Sequence, residues 1–174
     1  YAEKVSNYLV EVYMNTRSYE AALKSIERIA KPSAQIMEAK QKILFQLGTQ
    51  SFANANFEQA LQYLNQSIAI GQYNRQTKAD AYYWCGESYY RLNRMMEAAR
   101  DFNAYLQLTT QPNNEMYALA NYNLGYIAFH RKDYTQASNY FQKYIQLEKG
   151  ENRTALADAY NRIGDCHLNV RNFE

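Results

Sequence analysis

Residues 121–137 run Asn121-Tyr122-Asn123-Leu124-Gly125-Tyr126-Ile127-Ala128-Phe129-His130-Arg131-Lys132-Asp133-Tyr134-Thr135-Gln136-Ala137. Upstream of Arg131, Ala120, Leu124, Ile127 and Ala128 fall at i, i+4, i+7 and i+8. Downstream of Asp133, Tyr134, Ala137, Phe141 and Ile145 fall at i, i+3, i+7 and i+11. Both are helical periodicities, so two amphipathic helices meet at a short polar link. A link as short as Arg131-Lys132-Asp133 turns the second helix back against the first.

The pattern recurs through the chain. An aromatic or Met followed three residues later by Ala stands at Tyr19–Ala22, Phe57–Ala60, Met95–Ala98 and Tyr134–Ala137, and Phe173 keeps the phase. The spacing is 38, 38, 39 and 39 residues. Nine residues before each aromatic stand Val10, Gly48, Gly86, Gly125 and Gly164, so four of the six glycines share one phase. Seven after it stand Ile26, Leu64, Phe102 and Phe141. A helical Gly costs about 1 kcal/mol, so its return at one phase implies that two backbones approach closely there. One helix pair cannot bury both its faces, and successive pairs must stack.

These columns resemble the tetratricopeptide repeat: Leu-Gly, an aromatic three residues after the Gly, Ala twelve after it, then a large apolar residue. The resemblance implies an all-α, right-handed α-solenoid of antiparallel helix pairs, about four and a half repeats in one domain over 1–174. The repeats are expected at 3–32, 33–71, 72–111, 112–150 and 151–174, the last lacking its second helix, as in a piece of a longer array. The period exceeds the 34 residues of the family, so either the loop or the first helix of each pair is lengthened. Ser33 to Asn54 is expected as one such long helix with Ser33 as its N-cap. The long period, with Ala81-Tyr82-Tyr83-Trp84-Cys85-Gly86-Glu87-Ser88-Tyr89-Tyr90, resembles repeats of bacterial cell-envelope proteins. That resemblance implies the periplasm or envelope, with the cytoplasm as the alternative.

Composition limits what such a chain can do. It has 174 residues, 47% hydrophobic and 21% charged, with a formal net charge of +2. No block of five like charges marks a nucleic-acid surface, and no apolar run is long enough to span a membrane. Two prolines and six glycines are too few for a many-stranded sandwich. No Gly-rich phosphate loop, HExxH, CxxC or GxSxG motif is present, so no catalytic residue, cofactor or metal site is expected and the chain is read as a non-enzyme. Cys166–His167 are sequence neighbours, and neighbours on a helix do not face one another. Cys85 and Cys166 lie two repeats apart and are not expected to pair.

In the family the inner columns of the first helices bind peptides. Carried over, they give a groove of Phe45, Phe52, Tyr83, Glu87, Tyr90, Tyr122, Tyr126, Phe129 and His130. Asp80, Asp158 and Asp165 lie on the same columns. The positions that hold a C-terminal carboxylate in chaperone-binding relatives contain no lysine here, so a carboxylate clamp is not expected. Aromatic anchors beside acids suit a protein or peptide with apolar or aromatic and basic residues. The same rings could instead pack between helices with their hydroxyls in water. The alternative function is a structural spacer or self-assembly module acting through its ends, with self-association through a face of Ala159, Ile163, Cys166 and Val170.

Overall fold

The structure, a computed structural model, describes Lys4, residues 9–11 and residues 17–171. It is all-helical, with no strand among the described residues. The helices are α1 (Tyr19–Glu27), α2 (Ala34–Ala53), α3 (Phe57–Ala69), α4 (Arg75–Arg91), α5 (Met95–Leu108), α6 (Glu115–His130), α7 (Tyr134–Leu147) and α8 (Arg153–Arg171). A single 3-10 turn, Gly71–Tyr73, separates α3 from α4. Lys4 and residues 9–11 are also helical. The rest of the expected first helix, and Phe173, lie outside the described residues.

Two compact units divide the chain, residues 1–109 and 110–174, at the link that contains Pro112. In the first unit α1 packs on α2, α2 on α3 and α4, and α3 and α5 on α4. In the second, α7 packs on both α6 and α8.

The turn within each pair has three residues: 54–56, 92–94 and 131–133. Its middle residue adopts positive φ, at Ala55 (59°), Asn93 (59°) and Lys132 (63°). Two backbone bonds close each first helix. In the first turn, Ala55 N–H donates to the Phe52 carbonyl at 2.9 Å and Asn56 N–H to the Ser51 carbonyl at 2.8 Å. Equivalent pairs of bonds close α4 and α6. This is the Schellman arrangement, here without its usual glycine. Asn56 and Asp133 then cap the next helix, their side-chain oxygens accepting from Gln59 and Gln136 N–H at 3.3 and 3.2 Å.

The long period resides in the first helices and the links between pairs, not in these turns. Helix α2 has 20 residues and starts as expected at Ser33, whose hydroxyl accepts from Ile36 N–H at 3.2 Å. Asn74, Asn114 and Asn152 cap α4, α6 and α8 in the same way.

At three of its positions the glycine column is sterically required. A Cβ built on Gly48 would lie 2.6 Å from Leu64 Cγ, on Gly86 2.7 Å from Phe102 Cδ1, and on Gly125 2.8 Å from Phe141 Cε1. The partner alanines Ala22, Ala60, Ala98 and Ala137 are fully buried. So are Leu64, Phe102 and Phe141.

Helix α8 departs from expectation. Ala159 and Cys166 are buried in the core around Phe141 and Tyr144, with Ile163 packed against it. The open side carries Gly164, whose built Cβ meets nothing within 4 Å, with Tyr160 and Leu168 61% and 63% exposed. Of the expected open face only Val170 is exposed. Residues five before and two after the glycine face the preceding helix, whereas the glycine itself faces the helix that follows it. The expectation assigned both sides to one face.

Candidate binding surface

The inner-column residues lie on α2, α4, α6 and α8 and are best described unit by unit. In the first unit Phe45 and Phe52 are half-buried. Phe52 packs edge-on against Phe57 at 5.2 Å and Trp84 at 5.0 Å, and the Arg91 guanidinium stands 5.8 Å from its centroid. Tyr83 is a core residue, 3% exposed, enclosed by Trp84, Phe102 and Tyr105 at 5.3, 5.8 and 5.4 Å. Its hydroxyl donates to Glu87 Oε1 at 3.0 Å. The ring expected in the groove is therefore inside the helix pair, with only its polar end directed at the surface acid. Tyr90 is half-buried, and burial followed by the Glu87 charge pushes its hydroxyl pKa up.

In the second unit the expected residues converge. Tyr122 and Tyr126, one turn apart on α6, pack edge-on at 5.2 Å and both rest on Phe141, at 5.9 and 5.2 Å. Their hydroxyls both donate to Asp158 Oδ2 on α8, that of Tyr122 at 2.6 Å. Burial first, then this carboxylate, pushes Tyr126 up to about 12 and raises Tyr122 as well. Phe129 packs on Tyr134 at 5.5 Å, and exposed His130 lies 6.1 Å from the Tyr126 ring.

Two contributors were missed by sequence reasoning: Trp84 and Arg162. Both lie two residues before the glycine of their repeat, and each meets the aromatic four residues after the previous glycine. Phe52 thus meets Trp84 at 5.0 Å, and Phe129 meets the Arg162 guanidinium at 5.9 Å. The available signal was the recurring pair of columns, not either residue type.

Nothing in this arrangement activates a nucleophile. Both cysteines are free and buried, and burial raises both thiol pKa values, opposite to what a reactive thiolate requires. His167 is exposed beside buried Cys166. Among the described residues no group of three or more His, Cys, Asp or Glu is placed to hold a metal ion, and no helix is long and apolar enough to cross a membrane.

Paired helices with a glycine–aromatic seam and a set of partly exposed rings define a helical-repeat interaction module. Residues 45–115 and 118–150 each match the tetratricopeptide repeat, and together they take in more than half of the 174 residues. The chain belongs to the tetratricopeptide-repeat family. No curated protein matches the sequence. Among solved structures, a MamA protein is 18% identical with a TM-score of 0.61, covering 99% of this chain and 88% of its own. BtubC (BKLC) from P. vanneervenii is 12% identical with a TM-score of 0.65, covering 97% of this chain and 72% of its own. YrrB, a TPR protein with an unusual peptide-binding site, is 15% identical with a TM-score of 0.63, covering 95% and 76%. At these identities the likeness shows the fold.

Proposed function

We propose that this chain is a non-enzymatic scaffold that binds a protein or peptide segment along the aromatic inner columns of its first helices. Repeats of this family are protein-interaction modules in general. The observation that carries the finer reading is a set of half-buried rings in each unit, Phe45, Phe52 and Tyr90 with Glu87 on the inner columns of the first, and Tyr122, Tyr126 and Phe129 with Asp158 and Asp165 on those of the second. Phe52, Tyr122, Tyr126 and Phe129 are held by neighbouring rings and still partly exposed, so they bury apolar area on binding with little loss of rotamer freedom. The acids favour a segment that also carries Lys or Arg. The peptide-binding site named for YrrB supports the use of this fold for such ligands. The envelope is proposed as the compartment on the resemblance of residues 81–90.

The test is partner capture by wild type and by Phe52→Ala/Tyr126→Ala. Loss of the partner with helicity unchanged supports the groove; retention removes it.

The second reading, assembly through an end, is favoured by one observation: Tyr160, Gly164 and Leu168 form an open apolar strip on α8. Under it, Leu168→Glu abolishes concentration-dependent oligomers in sedimentation while groove substitutions leave them unchanged. A chain that sediments as a monomer at all concentrations excludes it.

A further inference from the structure

We infer that Phe129, Asp158 and Asp165 form a cation subsite within the second unit, and that Arg162 fills it in cis until a basic side chain of the partner replaces it. The inference rests on the groove reading and specifies which partner chemistry that part of the surface takes. Four observations support it.

First, a guanidinium is already present, 5.9 Å from the Phe129 ring, with Nη1 3.1 Å from Asp165 Oδ2. Second, the fit is incomplete. Arg162 Nε is buried, has no hydrogen-bond partner and stands 3.7 Å from Asp158 Oδ1, too far for a hydrogen bond. Third, Asp158 does not depend on Arg162 for its position. Its other oxygen accepts from the Tyr122 and Tyr126 hydroxyls, so the carboxylate stays fixed when the arginine leaves. Fourth, the group is accessible, with the side chains of Arg162, Asp158 and Asp165 32%, 31% and 43% exposed.

Energetics favour exchange. Both ion pairs join residues three or four apart on one helix, a class of interaction that is weak and salt-sensitive. Two carboxylates face one guanidinium, so the subsite keeps net negative charge while Arg162 is in place. A cation arriving from a partner can stand over the ring and reach both carboxylates without the constraint of the α8 backbone. In the first unit the residue matching Arg162 is the neutral Trp84, and the guanidinium near Phe52 is that of Arg91, from its own later column.

The test uses the whole chain and N-acetylarginine amide as probe, followed by the NMR shifts of residues in α6 and α8, with N-acetylcitrulline amide as the uncharged control. Arg162→Gln is expected to bind the arginine probe about fivefold or more tightly than wild type, an increment that salt reduces. Adding Asp158→Asn and Asp165→Asn is expected to remove binding, and the citrulline probe is expected to cause no saturable shift. Equal affinity of wild type and Arg162→Gln, or equal response to the two probes, overturns the inference. Should Arg162→Gln lose helicity, Arg162→Leu keeps the stem over Phe129 and carries the same comparison. Failure of the groove reading is distinguishable, since Phe52→Ala/Tyr126→Ala would then retain its partner whatever the probe does.

Discussion

At the scale of single residues, the repeat is written in places where a side chain is forbidden or backbone conformation is unusual. Gly48, Gly86 and Gly125 occur where a Cβ would meet Leu64, Phe102 and Phe141, whereas Gly164 on the same phase meets nothing. Gly125→Ala should therefore destabilise the chain by about 1–3 kcal/mol through overpacking. Gly164→Ala should be neutral or stabilise α8 by up to about 1 kcal/mol. Urea unfolding of the two variants checks the contrast, and equal effects would contradict the steric account. The left-handed turn residues give a second prediction. Ala55 has φ 59°, so Ala55→Gly should raise stability by about 0.5–1 kcal/mol by relieving the Cβ–carbonyl crowding of that region. The glycine column was legible because a Cβ is excluded at three of its positions, Gly48, Gly86 and Gly125. The positive-φ column was not, because Ala55, Asn93 and Lys132 share no residue type and the geometry is imposed by the two closing backbone bonds.

Elements show which parts of a periodicity survive packing. Helix type, pairing and the Ser33 start of α2 were legible from apolar spacing and capping chemistry. Which side of α8 stays open was not, because Ala159 and Tyr160 are adjacent in sequence yet one is buried and the other 61% exposed. Tyr83 shows the same limit at the site. Its column also holds Phe45 and Tyr122, and Tyr122 meets the equivalent Phe141 and Tyr144 rings at 5.9 and 4.9 Å yet stays half-buried, whereas Tyr83 is 3% exposed, so the column does not by itself set burial. Tyr83→Ala should consequently act on folding, costing about 3–5 kcal/mol in thermal or urea unfolding.

Asp101 on α5 adds a pH dependence. It is 2% exposed, and burial raises its pKa above the usual carboxylate value despite the Arg100 pair at 3.0 Å. The ionised form is thus disfavoured in the folded state. Stability from this group is fully present below the unfolded value near 3.8 and is lost as pH rises through the raised folded value. Wild type should gain stability relative to Asp101→Asn on acidification from neutral pH. Melting curves of the pair that run parallel at all pH values would refute this.

Over the whole molecule, the two compact units carry inner-column surfaces of different chemistry. The first has Phe45, Phe52 and Trp84 with Arg91 beside them; the second has Tyr122, Tyr126 and Phe129 joined to Asp158 and Arg162. An alkaline titration reports on the second surface. Tyr126 is held near 12, so its neutral form is favoured in the fold, and that stability is present below the ordinary value of 10.0 and lost between 10.0 and about 12. Asp158→Asn should move tyrosinate absorbance to lower pH, and an unchanged titration would show that Asp158 does not hold these hydroxyls.

The most direct measurement is partner capture by the immobilised chain from separate envelope and soluble bacterial fractions, in parallel with Phe52→Ala/Tyr126→Ala and Leu168→Glu, all matched for helicity. Each aromatic anchor of a binding face should contribute about 2 kcal/mol. The expected result is a partner retained by wild type and Leu168→Glu and lost by the aromatic double variant. A partner retained by the double variant, or lost only with Leu168→Glu, would contradict it and assign recognition to the end of the array.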